Sequence, residues 1–532
     1  MKGKKMTSSL KGYTTRPATR TAQTKKAAKG QVKNAAGGYV FKISDLERAK
    51  RFLILGSESN FYVPGAALTA ENAETLVKLA ESKKGSRALV DEIVAVSTAG
   101  RAPKQDPAIF ALAIAVSHGD TESKQYALSQ LPVVLRTGTS LFMFAGFVEQ
   151  FRGWGRGLKN AIARWYTEKD VDKLAYQAVK YQSREGYTHR DLMRLSHPET
   201  ASSSLHGLGE WILRGNSAEA PRIVQGFVQA HTPGTDIPAL VQEYHLTWEM
   251  LPTESLNERE VWEALLDGNV PLGALVRQLP RLTRIGVIEP MGYLTTEIAA
   301  RLVNPEELKR ARLHPINLLV ALKTYASGRS VRGSSTWTPV REIIDALDTA
   351  FYVAFGAVEA ANKRTMIGVD VSGSMGSTFS DLPLTSAEAA AAMALVTMAT
   401  EPKTVVYGFS HVIKELPISP KQRLNDVLRV TRDNNFGGTN AALLIQKAIE
   451  QNLSVDTFMV ITDNDTWAGS QHVFQALTEY RKKTGIAARL VVLSTYASRS
   501  SVADPSDPLS LDIAGFDLST PSVVADFSAG RI

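Results

Sequence analysis

The chain has 532 residues, of which 44% are hydrophobic and 21% charged, with a mean hydropathy of −0.11. That is ordinary globular composition, and at roughly 150 residues per domain it leaves room for two to four domains. Cysteine is absent, which removes disulfides, thiolate metal sites and cysteine nucleophiles. No apolar run reaches the ~18 residues of a membrane span, and the scattered histidines contain no HExxH zinc pattern. The net charge of +8 is local: residues 1–42 hold 11 Lys/Arg and no acid, leaving 50 basic against 53 acidic residues, or −3, in the remainder.

Residues 1–34 read as a disordered basic tail rich in Lys, Thr, Ala and Gly. They hold no apolar segment of the secretory kind, so a cytoplasmic protein is expected. The tail is also a candidate arm for phosphates. A folded body is expected from Ala35.

From 35 to about 360 the pattern is repeatedly helical. LERAKRFLIL, TAENAETLVKLAES, SRALVDEIVAVSTAG and DPAIFALAIAVSHG each space apolar residues by three and four. Gly, Pro, Asp or Ser punctuates them as stops and caps. SLFMFAGFVEQF, GLKNAIARWYTEKD, VDKLAYQAVKYQSR, HRDLMRLSH and PLGALVRQLPRL continue the series. Helices this short must stack to bury their apolar faces, which suggests a HEAT-like solenoid, with a compact non-repeating helical domain as the alternative.

Residues 131–194 carry 11 Lys/Arg against six Asp/Glu. Trp154, Trp165, Tyr166, Tyr181 and Tyr187 are interleaved with them. Cations for phosphates and flat rings for unstacked bases suit single-stranded or looped RNA. A solvated basic face over aromatic core anchors explains the same composition. His189 and His197 flank RDLMRLS, where a buried or capping role is the simpler reading. His314, before a proline, reads as structural.

The pattern changes at Lys363. TMIGVDVS, KTVVYGFS, DTFMVITDN and ARLVVLST are strands alternating with helices, which means a doubly wound parallel α/β domain over 363–532. Functional groups in such sheets gather at the carboxyl ends of strands. There Asp370, Ser372 and Ser374 form DxSxS, GGT supplies Thr439, and ITD supplies Asp463. This set of oxygen ligands suits Mg²⁺ rather than zinc or copper. No P-loop is present. Asp463 and Asp465 can pair as a two-metal nuclease site, a thin reading without an activated nucleophile.

The DxSxS, GGT and TD segments resemble the metal-ion-dependent adhesion site of von Willebrand factor A domains, whose usual work is binding rather than catalysis. The longer segments AGGYVFKI, WGRGLKNAIARWYTEK, KYQSREGYTHRDLMRLSHP and LHPINLLVALKTYASG, followed by the A domain, resemble the Ro autoantigen family, defined by its TROVE domain. The resemblance spans about Ala35 to Ile532, with a composition that fits a bacterial member.

The resemblance implies a HEAT-like helical ring closed by the A domain; if the ring brings its ends together against that domain the protein can be a monomer, which is the expectation. It implies a ribonucleoprotein that binds Y RNA on the outer surface. It implies that 3′ single-stranded ends of misfolded noncoding RNA enter the cavity, in RNA quality control and the stress response. Carried over residue by residue, it nominates Lys180, Arg184 and His189, with Arg190 beside them, and Arg136 and Thr139 from LRTGTSL. The metal ligands carry over at Asp370, Ser372, Ser374, Thr439 and Asp463. A competing reading makes the protein a Mg²⁺-dependent scaffold that tethers a 3′-to-5′ exoribonuclease, with RNA binding secondary. Either way no enzyme is expected.

Overall fold

The structure is a computed structural model that describes residues 20–531 apart from 57–64, 103, 185, 200–201, 269, 312, 314, 331–332, 355–359, 378–382, 431–437, 497–499 and 516–519. Tail residues 1–19 and His314 therefore lie outside the described residues.

The helical series starts at Asp45–Leu55 and ends at Arg341–Val353. Ser44 caps the first helix by accepting the Glu47 N–H, and Gly56, with φ of 79°, ends it. The helix Asp106–His118 buries a continuous run from Ala111 to Val116, so its surroundings are protein on nearly every side. It packs on its neighbours, among them Gly138–Phe151. Pro280 sits inside Leu272–Arg284 without ending it, as the run PLGALVRQLPRL implies. A short hairpin of β3 (Ser183–Arg184) and β4 (Tyr187–Thr188) interrupts the helices, after an N-terminal pair β1 (Gln31–Lys33) and β2 (Tyr39–Lys42).

The α/β domain carries β5 (Thr365–Asp370), β6 (Thr404–Phe409), β7 (Ile413–Glu415), β8 (Thr457–Thr462), β9 (Arg489–Ser494), β10 (Ser500–Ser501) and β11 (Ser510–Ala514). The main sheet runs β11-β9-β8-β5-β6-β7. Its pairs are parallel except β6 with β7, an antiparallel edge the sequence reading did not anticipate. β5 and β8 are buried at every position, as central parallel strands covered on both faces must be.

Both ends of the helical series meet this domain, which closes the ring. At the start, Arg51, wholly buried, donates to the Ser500 carbonyl at 2.9 Å and pairs with Asp512. At the end, Lys323 pairs with the buried Glu388 at 2.6 Å and Asp345 with Arg423 at 2.6 Å. Each pair joins residues far apart in sequence, so closure is a tertiary fact that no local pattern encodes.

One boundary needs correction. Residues 20–34, expected in a disordered tail, belong to the folded body. β1 pairs with β2, β2 pairs with β10, and Gln23, Gln31 and Asn34 are buried. Their polar side chains find partners on the α/β domain, so a segment poor in large apolar residues is held by hydrogen bonds instead.

Candidate metal centre and nucleic-acid interface

Asp370 ends β5 and Asp463 follows β8, so two adjacent parallel strands present carboxylates at one sheet edge. Ser372 and Ser374 lie in the turn after β5, where a short 3₁₀ helix spans Gly373–Gly376. The Ser372 N–H donates to Asp370 Oδ1 at 3.0 Å and Thr462 Oγ1 donates to Oδ2 at 2.6 Å, which fixes that carboxylate. The hydroxyls of Ser372 and Ser374 are 3.1 Å apart. Asp370, Ser372, Ser374, Thr439 and Asp463 are all buried.

Two oxygens here, Thr439 Oγ1 and Asp463 Oδ2, are buried without a hydrogen-bond partner among the described residues. Buried polar atoms are nearly always satisfied, and each orphan costs ~1–3 kcal/mol. Burial first, then the charge of Asp463, pushes the Asp370 carboxyl up to about 7. Burial also raises Asp463. Two desolvated carboxylates side by side, with hydroxyls and no nitrogen or sulfur donor, fit a hard divalent cation. Asp370, Ser372, Ser374, Thr439 and Asp463 would hold such an ion, and it would supply positive charge that offsets both carboxylates.

Asp465 is engaged by the N-terminal segment: its Oδ1 accepts the Ala35 N–H at 3.2 Å. Among the described residues no group of three or more His, Asp or Glu converges as a metal site.

The nominated RNA residues are placed differently. Arg184 lies on β3 of the hairpin and Arg190 in the first turn of the helix His189–Ser196, both exposed. Thr188 and Asp191 form the capping box that starts this helix. Lys180 pairs with Glu249 at 3.1 Å and donates to the Tyr176 hydroxyl at 3.0 Å. Burial works against its charge, but the Tyr176 hydrogen bond and the negative groups around it hold the ammonium's pKa above the ordinary value. Arg136 is exposed and donates to the Ser97 carbonyl and hydroxyl, each at 3.3 Å. Thr139 is half-buried in the first turn of Gly138–Phe151.

His189 requires correction as a direct RNA contact, because its imidazole is enclosed. The ring is 4% exposed, lies 4.7 Å from Phe142 and 6.2 Å from Trp165, and hydrogen-bonds the Tyr166 hydroxyl at 2.9 Å. Nε2 has no partner among the described residues, and burial pushes the imidazole down to about 4. A neutral ring in this cage has no surface to offer a phosphate. His197 caps the same helix in a left-handed conformation. Trp165, Tyr166 and Tyr187 are likewise core residues.

A cleft of about 920 Å³ gathers residues that the sequence kept apart. Arg136, Lys169, Lys173 and Arg222 line it with Tyr176, Tyr244 and His245, alongside four carboxylates. Lys169 and Lys173 were visible as part of the basic stretch; Arg222 and Tyr244 were not. Tyr244 closes over Gly226, where a Cβ would sit 2.3 Å from the ring. No local signal marks that pairing.

Fold and site together define a ring of helical repeats closed by an A-type α/β domain with an adhesion-type oxygen centre. Comparison with known proteins identifies the family. Residues 364–528 match the Ro60 vWA domain, and residues 32–217 and 242–325 match the TROVE domain. The chain is 38% identical to the RNA-binding protein RO60 of Deinococcus radiodurans, covering 96% of this chain and 97% of that one. It is 35% identical to the RNA-binding protein RO60 of Caenorhabditis elegans, covering 96% and 92%. The crystal structure of the Deinococcus radiodurans RO (RSR) protein superposes with a TM-score of 0.70 at 37% identity, over 92% of this chain and 100% of that one. The chain belongs to the Ro60 family of TROVE-domain proteins.

Proposed function

We propose that this protein binds RNA on its helical ring and holds a divalent cation, Mg²⁺ by preference, in its A domain. The RNA reading rests on one observation above others. Exposed Arg184 and Arg190 and the cleft of Arg136, Lys169, Lys173, Tyr176 and Arg222 belong to the same helical domain, in a family whose relatives are named RNA-binding proteins. Cations and flat rings in that combination take phosphate and unstacked base without reading a long sequence. The ligands are small structured noncoding RNAs of the Y type on the outer surface and 3′ single-stranded ends of misfolded RNAs at the hole. A role in RNA quality control and stress survival follows, in the cytoplasm and without catalysis by this chain.

The experiment is recovery of the protein from its native host at moderate salt, with sequencing of the RNA that accompanies it. One dominant structured RNA supports the outer surface, and mixed fragments with single-stranded 3′ ends support the hole. RNA at background level rejects the reading. The double substitution Arg184→Ala with Arg190→Ala then tests the site. It should weaken binding about tenfold and lower the log–log salt slope by up to ~1.8, as loss of two phosphate contacts on the duplex coefficient requires.

A second component of the reading belongs to the metal centre. The orphaned Thr439 Oγ1 and Asp463 Oδ2 favour a cation whose open position takes a carboxylate from a protein partner. A 3′-to-5′ exoribonuclease tethered in this way would receive RNA from the ring.

A further inference from the structure

The N-terminal segment from Thr21 to Lys42 is latched onto a loop that also holds a candidate metal ligand. That loop, Asn464 to Gly469, directly follows Asp463. On its inner side it grips Thr439: the Thr439 carbonyl accepts the N–H groups of Trp467 and Ala468, each at 2.9 Å, and the Thr466 hydroxyl at 3.0 Å. On its outer side it is held by the strap. Asn34 Nδ2 donates to the Asn464 carbonyl at 3.2 Å and the Thr466 carbonyl at 2.8 Å. The Ala35 N–H donates to Asp465 Oδ1 at 3.2 Å, Gln23 Nε2 to Thr466 Oγ1 at 3.4 Å, and the Gln23 N–H to the Gly469 carbonyl at 3.1 Å. Gly38 lies so close that a Cβ there would stand 2.0 Å from the Thr466 carbonyl oxygen. The turn is internally braced, since Asn34 Oδ1 accepts the Gly38 N–H at 2.8 Å.

We infer that this strap is the outer support of the metal centre, with Asn34 as its principal positioning residue, so that docking of the strap and binding of the cation favour one another. The inference rests on the metal reading above. Its physical basis is that Thr439 and Asp463, which hold the two orphaned oxygens, are set by the loop that the strap clamps. Supports of this outer kind change metal affinity by about 10–100-fold when removed. The strap continues through β2 and Ser44 into the first helix of the ring. It therefore ties the loop beside the cation site, through hydrogen bonds, to the first helix of the helical domain, in addition to the chain's own passage from the last helix into β5. Linkage makes the effect reciprocal: whatever factor the docked strap adds to cation affinity, the cation adds to strap docking.

The test is hydrogen exchange on the full-length protein at the amides of Gln23, Ala35, Gly38 and Tyr39, with and without Mg²⁺, alongside calorimetric titration of Mg²⁺. Saturating Mg²⁺ should slow exchange at these amides about tenfold in the wild type and leave Asp370→Ala unchanged. Asn34→Ala should weaken Mg²⁺ binding about tenfold with every metal ligand in place. A strap that is merely structural exchanges at the same rate with and without the ion. That result, with Mg²⁺ demonstrably bound, overturns the coupling alone, as does unchanged Mg²⁺ affinity in Asn34→Ala. Failure of the wild type to bind Mg²⁺ overturns the metal reading and the coupling with it.

Discussion

The two candidate sites of this molecule are built in opposite ways. The candidate metal centre draws on three segments of the α/β domain, and its five candidate ligands are all buried. The RNA surface is spread over a hairpin and several helices, and its cations are mostly committed to neighbours already: Lys180 to Glu249, Arg136 to Ser97, Arg222 to Glu243. A small hard ion needs fixed oxygens, and fixing requires burial. A flexible polyanion needs charge over an area, and exposed charges that await a ligand make local pairs in the meantime. The first design concentrates energy in single residues and the second distributes it.

The largest effect that tests this contrast comes from Asp370. Asp370→Ala should lower Mg²⁺ affinity by more than ~100-fold, beyond the range of outer supports, while RNA affinity stays within about twofold of the wild type. Calorimetry for the ion and filter binding for the RNA measure the two separately. Equal loss of both would mean that the sites are one functional unit, and the contrast would fail.

The same contrast explains what was legible in the sequence. DxSxS lies on consecutive residues after an apolar strand, so its geometry is local and the spacing discloses it. Asp463 arrives by topology, since adjacent parallel strands end on the same side of the sheet and bring it beside Asp370, whereas Thr439 precedes a helix and is held by the loop after Asp463. Nothing comparable marks the helical surface. For His189 the residues themselves favour a buried or capping role and the family resemblance nominates an RNA contact; tertiary packing, with Phe142, Trp165 and Tyr166 closing over the ring, fits the buried role. Glu249 is 69 residues from Lys180, and no pattern announces their pairing. The N-terminal strap was hidden for another reason: its composition is that of a solvated tail, and its order comes from partners more than 400 positions away.

His189 provides a test of intermediate size. Its folded pKa, about 4, lies below the ordinary 6.5, and the first cause is burial. The native state therefore favours the neutral ring. Stability from this site is complete above pH 6.5 and is lost as pH falls through 6.5 toward 4, because the unfolded chain takes up the proton first. The difference of ~2.5 units corresponds to about 3 kcal/mol. Chemical denaturation at pH 7 and at pH 4.5 should show this slope in the wild type, and His189→Gln should flatten it. His189→Gln should also reduce RNA binding only as far as it loosens the hairpin and the following helix. Full stability together with lost RNA binding would return His189 to the surface as a direct contact, and the packing account would be wrong.

The smallest effect is the most specific to the distributed site. Lys180 reaches Glu249 at 3.1 Å, and its ammonium lies 5.1 Å from the Tyr176 ring and 5.5 Å from that of Tyr181. Both charged side chains are mostly enclosed, at 14% and 19% exposure. Glu249→Gln keeps the volume of the partner and removes its charge. If Glu249 is a resting partner that RNA phosphate displaces, its removal lowers the cost of binding, and affinity should rise about two- to threefold, the scale of a partly exposed ion pair. The tyrosines keep the ammonium in place through cation–π contacts, so the gain should not be cancelled by disorder. The salt slope decides between mechanisms: a freed Lys180 steepens it by up to ~0.9 for one further phosphate. An affinity that falls with the slope unchanged would show that Glu249 positions Lys180 for RNA instead of competing with it, and the two sites would then share one principle, a side chain fixed in advance for its ligand.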